Sequence, residues 1–252
     1  MLNRKFTLTN LALTLSVVSA TAQVPDTTAL GEVIINQNRL QIPFSKQSKS
    51  VQLLTQEDIQ RLPNRSINEL LSNIPGVDIR QRGPFGSQAD ISVDGGSFEQ
   101  TTILLNGVKI TDPQSAHHNM NLPVPLEAIE RIEIIRGPAS RIFGINALTG
   151  AINIVTKKIK SNQISTQIYS GSSFKDNEQT STGMYYGKGI QLGSQFLTKK
   201  TSHGLYFGHE DSNGQRYNTA SNSNKLYYDG TYQPNTGNMV NANIGYINNQ
   251  FG

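Results

Sequence analysis

The chain has 252 residues, with 22 Lys and Arg against 18 Asp and Glu, a formal charge of +4, no Cys and no Trp. Without Cys it has no disulfide framework, no thiolate metal site and no acylated lipoprotein cysteine. The basic excess forms no dense stripe and falls from +4 to +2 if Arg4 and Lys5 are removed, which argues against an electrostatic footprint for nucleic acid.

Arg4 and Lys5 precede a mainly apolar run from Phe6 to Val18, and Ala20-Thr21-Ala22 supplies the small residues of a signal-peptidase site. Residues 1–22 are therefore expected to be a cleaved export signal, since the run is too short for a comfortable membrane helix. In the segment 23–50, the β-branched run Leu30 to Asn36 precedes the polar stretch Gln37 to Ser50. Such a run can add to the edge of a partner's sheet, or it can be the first strand of its own domain, and the residues leave both open.

Residues 51–158 predict a small α+β domain. Val51 to Leu54 reads as a strand, Thr55-Gln56-Glu57-Asp58 opens a helix with acidic first-turn residues, and Pro63 ends it. Ser66 is the expected N-cap of a second helix, with Glu69 at the capping-box position and Ile67, Leu70, Leu71 and Ile74 as its apolar stripe. Strands follow at Val77 to Gln81 and around Ile91 and Val93. Thr102 to Leu105 and Val108 to Ile110 flank Asn106-Gly107, a pair that favours a type I′ hairpin. The run Ile132 to Lys158 holds two further strands, Ile132 to Ile135 and Ala151 to Thr156, with turns expected at Gly137-Pro138, Phe143-Gly144 and Thr149-Gly150.

Beyond residue 160 the composition changes: all nine Tyr lie between Tyr169 and Tyr246, and nine of the ten Pro lie at or before Pro138. Strands of period two are expected at Gln163 to Gly171, within Met184 to Thr198, and at Ser202 to Glu210, Leu226 to Tyr232 and Met239 to Ile247. In the last of these, Val240, Ala242, Ile244 and Tyr246 oppose Asn241, Asn243 and Gly245. The alternation fits a membrane barrel with tyrosines as interfacial girdles, and equally a soluble sandwich with one buried face. Export without cysteine favours an outer-membrane barrel in a Gram-negative cell. An enzyme has little support, with no phosphate loop carrying a Lys and no nucleophile elbow.

Several motifs together resemble the plug domain of TonB-dependent outer-membrane receptors, with most similarity to the vitamin B12 receptor group. They are Leu30 to Asn36, Asn68-Glu69-Leu70-Leu71-Ser72-Asn73-Ile74-Pro75-Gly76-Val77, Ile103-Leu104-Leu105-Asn106-Gly107-Val108, Ile135-Arg136-Gly137-Pro138 and Gly150-Ala151-Ile152-Asn153-Ile154. The resemblance implies a plug at 51–158 followed, at 159–252, by the first antiparallel strands of a roughly 22-stranded transmembrane β-barrel. It implies active uptake of a small-molecule ligand, a corrinoid such as vitamin B12, or else a ferric siderophore or haem. The implied partners are TonB with its inner-membrane energising proteins, and outer-membrane lipid, with no cofactor and no covalent chemistry.

By position, Glu32, Val33, Ile34 and Ile35 become the TonB box. Arg82, Phe85, Ser87, Gln114, His117, His118 and Asn119 become ligand-facing residues of two outer plug loops, without a metal. The family often carries an Arg where this chain has Asp94. That Arg, with the one matching Arg136, pairs with carboxylates of the barrel wall, so only Arg136 is carried over as a plug–barrel contact, its wall partner expected beyond this chain. The stretch Ile145 to Ala151 also departs from the usual acidic or polar run with a double Gly.

A membrane strand needs about 9–11 residues, and 22 of them need roughly 220. Only 94 residues follow Lys158. The chain is therefore expected to be the N-terminal piece of a longer receptor, unable to close a pore alone. The alternative is a soluble periplasmic plug-like binding module without transport activity.

Overall fold

The structure, a computed structural model, describes residues 50–62, 64–83, 88–110, 117, 119–174, 184–214 and 218–251, with the backbone alone at 34–35, 42–43 and 173–174. The expected export signal and Glu32, Val33, Pro63, Phe85, Ser87, Gln114 and His118 lie outside the described residues.

The first elements are β1 (Ile34–Ile35) and β2 (Ile42–Pro43), paired antiparallel. After β3 (Val51–Leu54), α1 (Gln56–Arg61) starts at a complete capping box: the Thr55 hydroxyl accepts from the Asp58 amide, and the Asp58 carboxylate accepts from the Thr55 amide and hydroxyl. In α2 (Ile67–Ser72), Ser66 caps the Glu69 amide, but the Glu69 carboxylate reaches one residue further back than expected, to the Arg65 amide at 2.8 Å. The predicted stripe is buried in full at Ile67, Leu70, Leu71 and Ile74. Each such side chain contributes about 1.5–3 kcal/mol by leaving water.

A separate hairpin follows, β4 (Val77–Gln81) with β5 (Ala89–Val93). Next, β6 (Thr101–Leu105) and β7 (Val108–Ile110) meet through Asn106 at φ 51° and Gly107 at φ 81°, the left-handed pair that a type I′ turn requires. After β8 (Ile129–Arg136) the chain makes a short helix, α3 (Ser140–Phe143), where only turns are expected from the sequence. Four residues are too few to register a helical period. The Ala139 amide and the Ser140 hydroxyl, both donating to the Ala147 carbonyl, hold the excursion closed. β9 (Gly150–Thr156) then completes a five-stranded mixed sheet of order β3-β8-β9-β6-β7, in which only β6 and β9 are parallel.

That sheet is covered on both faces, which is why β9 reads as a nearly continuous apolar run. Ile103, Ile132, Ile134, Ile152 and Ile154 join the helices on one side, and Leu104, Ile135 and Ala151 face the other with Ala139 and Ala147. Two of the buried polar residues on this second face, Glu133 and Asn153, satisfy each other. Glu133 accepts from Arg131 Nε and Asn153 Nδ2, both at 2.9 Å, and Asn153 Oδ1 accepts from the Gly107 amide.

The remaining strands form a second five-stranded sheet, an antiparallel meander in chain order: β10 (Gln163–Phe174), β11 (Met184–Leu197), β12 (Thr201–Ser212), β13 (Ser221–Asn235) and β14 (Asn238–Phe251). They run from 12 to 15 residues, longer than the sequence expectation. The added ends, such as Asp211-Ser212 and Ser221 to Lys225, are polar on both faces and so carry no alternation. The connections differ by end. β11 turns into β12 across Thr198 to Lys200 and β13 into β14 across Thr236-Gly237, whereas the opposite rim carries the longer segments 175–183 and 213–220. Residues 34–252 form one compact unit, so the composition change near 158 marks a change of sheet within continuous packing.

The tyrosines divide between the faces of the meander. Tyr186, Tyr232 and Tyr246 are exposed on the same face as Ile164, Ile168, Leu205, Leu226 and Ile244. Tyr206 and Tyr227 point the other way, are 1% exposed, and belong to the apolar core of the first domain.

Candidate functional site

The sequence-predicted residues fall into three places. Ile34 and Ile35 are strand residues paired with Ile42 and Pro43 of their own chain. In the loops expected to face outward, Arg82 is exposed at the end of the β4–β5 hairpin, its amide bonded to the Gln88 carbonyl at 3.0 Å. His117 stacks on Phe98 with ring centroids 4.4 Å apart, and its Nδ1 lies 3.0 Å from Asp90 Oδ1. Asn119 is buried. Among the described residues, no group of three or more His, Cys, Asp or Glu is placed to hold a metal.

Arg136 is built into the first domain itself. Its guanidinium donates to the Asp94 carboxylate, to the Pro75 carbonyl and, at 2.9 Å, to Gln52 Oε1. These partners come from β3, the turn after α2 and the turn after β5. The position where the family resemblance expects a second Arg thus supplies a counter-charge to Arg136 from within the plug. Gly76 makes room for the pairing: at φ 78° it carries no Cβ, and a Cβ there would collide with the guanidinium.

A further set of contacts is one the sequence reading does not single out: the seam between the two sheets. At the β6–β7 turn, Asn106 Nδ2 donates to Thr156 Oγ1 at 3.0 Å and to the Tyr227 hydroxyl at 3.3 Å, while its Oδ1 accepts from the Thr156 amide. Asn243 Nδ2 also donates to the Tyr227 hydroxyl, and Thr156 Oγ1 donates to Asp229 at 3.3 Å. A second cluster surrounds Glu127, in the 3-10 turn Leu126–Ala128 before β8. Its Oε1 accepts from Lys157 Nζ at 2.7 Å and from Ser165 Oγ of β10 at 2.8 Å, and its amide donates to Gln191 Oε1 of β11 at 3.0 Å. The Gln191 amide nitrogen donates in turn to the Arg65 carbonyl at 3.4 Å.

Close approach is possible because the inner face of the meander is short of side chains where the first domain meets it. Gly193, Gly208 and Gly245 share that face with Tyr206 and Tyr227 by register. A Cβ at Gly245 would stand 2.6 Å from the Pro123 ring, and one at Gly208 would stand 3.3 Å from Pro125. Three lumen-side tyrosines lie directly opposite glycines, as Tyr169 with Gly189, Tyr206 with Gly193 and Tyr227 with Gly245, so ring covers bare backbone across each strand pair. The sequence signal for this seam is glycine and tyrosine at one parity, which is invisible until register is known.

A mixed sheet with short helices, packed against the inner face of long meandering strands, is matched at the level of sequence by the family profile described as the TonB-dependent Receptor Plug Domain, over residues 43–151. This region is a TonB-dependent receptor plug. The meander that follows is the start of the barrel wall. The vitamin B12 transporter BtuB of Vibrio cholerae is 29% identical over 163 residues, which is 65% of this chain and 26% of that protein. Among solved structures, the unliganded ferric citrate transporter FecA superposes with a TM-score of 0.70 at 18% identity, covering 81% of this chain and 32% of that one. The siderophore receptor PirA from Pseudomonas aeruginosa gives 0.62 at 24% identity, covering 82% and 35%. Those two likenesses carry the fold. The chain spans about a quarter of the length of the curated relative it matches.

Proposed function

We propose that this chain forms the plug and first wall strands of an outer-membrane receptor that takes up a scarce ligand by TonB-dependent, energised transport. The observation that carries the reading is the burial of Tyr206 and Tyr227 in the plug's own core, with the Tyr227 hydroxyl bonded to Asn106. A plug acting as a soluble module would leave that part of its surface uncovered. The two rims support the same reading: short turns at one end of the wall and longer segments at the other are the pattern of outer-membrane barrels, with short turns on the periplasmic side.

The ligand in this proposal is a corrinoid, supported by the likeness to a vitamin B12 transporter, with a ferric siderophore as the second choice, supported by fold alone. In this proposal the TonB box is Glu32 to Ile35, and the ligand-facing plug residues are Arg82, Phe85 and Ser87 in one loop and Gln114, His117, His118 and Asn119 in the other. Transport needs no bond chemistry from these residues. They bind, and the plug must move.

The test is a pair of proline substitutions, Val33→Pro and Ile34→Pro, in the complete receptor. Proline removes a strand N–H and fixes φ, so strand addition by TonB is lost. Expected is loss of energised uptake of labelled cyanocobalamin with surface binding retained. Undiminished uptake in both variants defeats the box assignment. Uptake of a ferric siderophore but not of cyanocobalamin defeats the corrinoid.

A further inference from the structure

Between the outer loop and β8, residues Asn121 to Glu127 cross the inner wall with a period of two. Leu122, Val124 and Leu126 turn inward and are 2%, 0% and 9% exposed within the plug core. The intervening residues turn to the wall. Asn121 Oδ1 accepts from Asn249 of β14, Pro123 sits on Gly245 of β14, Pro125 on Gly208 of β12, and Glu127 against Gly193 of β11. The segment pairs with no strand, so its amides have no ladder to satisfy them, and the two prolines at wall-facing positions remove the donors that would otherwise be buried there.

We infer that residues 121–127 are a mooring strap for the plug and that Glu127, with Gln191, is its fastening. The inference rests on the reading of the chain as plug and wall of a transport receptor. Its physical basis is an unequal distribution of bonding along the strap. The two proline contacts are apolar and slide without breaking a hydrogen bond. The Glu127 end holds one carboxylate oxygen to both plug and wall, through Lys157 and Ser165, and one main-chain amide to Gln191.

Gln191 is 2% exposed and spans two separate plug segments, the Glu127 turn and the Arg65 loop. Both of its plug partners are main-chain groups, so no plug side-chain change removes this staple and only the wall residue can. Among the described residues the bonding partners of Arg136 are all plug residues, so it fastens none of these five wall strands. Glu127 and Gln191 therefore act as positioning residues where the strap meets β10 and β11, and ligand chemistry is elsewhere.

The test uses the complete receptor in planar bilayers, with no ligand and no TonB, reading the urea concentration at which a conducting channel opens. Glu127→Ala and Gln191→Ala are expected to shift the opening to lower urea, Glu127→Gln to recover most of the wild-type value because its amide oxygen still accepts, and Gln191→Met to behave like Gln191→Ala. Gln195→Ala is the comparison: its amide bonds the Tyr206 hydroxyl within the wall, and its opening should stay at the wild-type value. Equal outer-membrane yield and unchanged heat-dependent mobility establish that each variant is folded.

Opening at the wild-type urea concentration in both alanine variants overturns the strap. So does an equal shift in Gln195→Ala, which would make the effect a general weakening of the wall. A receptor that opens no channel at any urea concentration overturns the transport reading itself, and the strap with it.

Discussion

The Arg136 guanidinium is paired with the carboxylate of Asp94, one turn of the plug closing on another. Arg136 and Asp94 keep side-chain exposures of 20% and 43%, so the pair is worth at most about 1 kcal/mol after solvent screening. Asp94→Arg sets two guanidinium groups against each other. It is expected to lower stability by about 1–2 kcal/mol, the lost pair plus repulsion of similar size. Faster amide hydrogen exchange at residues 75–78 and 94–96 is the measurement, and unchanged exchange would contradict the pairing.

Gly76→Ala tests the same corner from the backbone. A left-handed residue other than glycine costs about 1–2 kcal/mol, and its Cβ falls on the Arg136 guanidinium. The thermal midpoint of Gly76→Ala should fall in the wild type. In an Arg136→Ala background the same substitution should cost less, because the collision is gone while the backbone strain remains. Equal losses in both backgrounds would show that the space above Gly76 is not what selects glycine.

Asn106→Ala removes the acceptor of the Thr156 amide and the donor to the Tyr227 hydroxyl. A buried amide without its partner costs about 1–3 kcal/mol, whereas Tyr227→Phe, which leaves Asn106 and Thr156 joined, should cost about 0.5–1.5 kcal/mol. Chemical unfolding of the two variants and their double mutant gives both losses and their coupling. A larger loss from Tyr227→Phe than from Asn106→Ala would reverse the assignment of the hub.

Acid should loosen α1 first. The Thr55 hydroxyl, and after it the Thr55 amide, hold the Asp58 carboxyl below its ordinary value of 3.8. A carboxylate depressed in the folded state adds stability that is present above pH 3.8 and is lost as pH falls through its lower folded value. Exchange of the α1 amides, corrected for intrinsic rate, should therefore accelerate only below about pH 4. Asp58→Asn should remove that acid step, and a step that survives the substitution belongs to another group.

The plug was legible because its signals are local. Thr55 and Asp58, Ser66, the stripe from Ile67 to Ile74 and the Asn106-Gly107 turn each fix their element within a few residues, and the elements appear where these residues place them. The five wall strands were legible in order but not in length, because alternation fades where both faces are polar. Three features were not legible. The fate of Arg136 depends on Asp94, 42 residues away, and the face of each tyrosine depends on register against its neighbour. The role of Glu127 was hidden for a third reason: its partners Ser165 and Gln191 carry no motif and meet it only once the wall curves past the plug.

The bare backbone at Gly193, Gly208 and Gly245 leaves a record of the seam written in omissions. Fit between plug and wall is stored there as missing atoms, so these positions offer nothing to a search for reactive, charged or binding side chains. A complete substitution scan of the wall would nonetheless single them out as places where almost any addition fails, with the tolerance at each set by how far Pro123, Pro125 or Glu127 can give way.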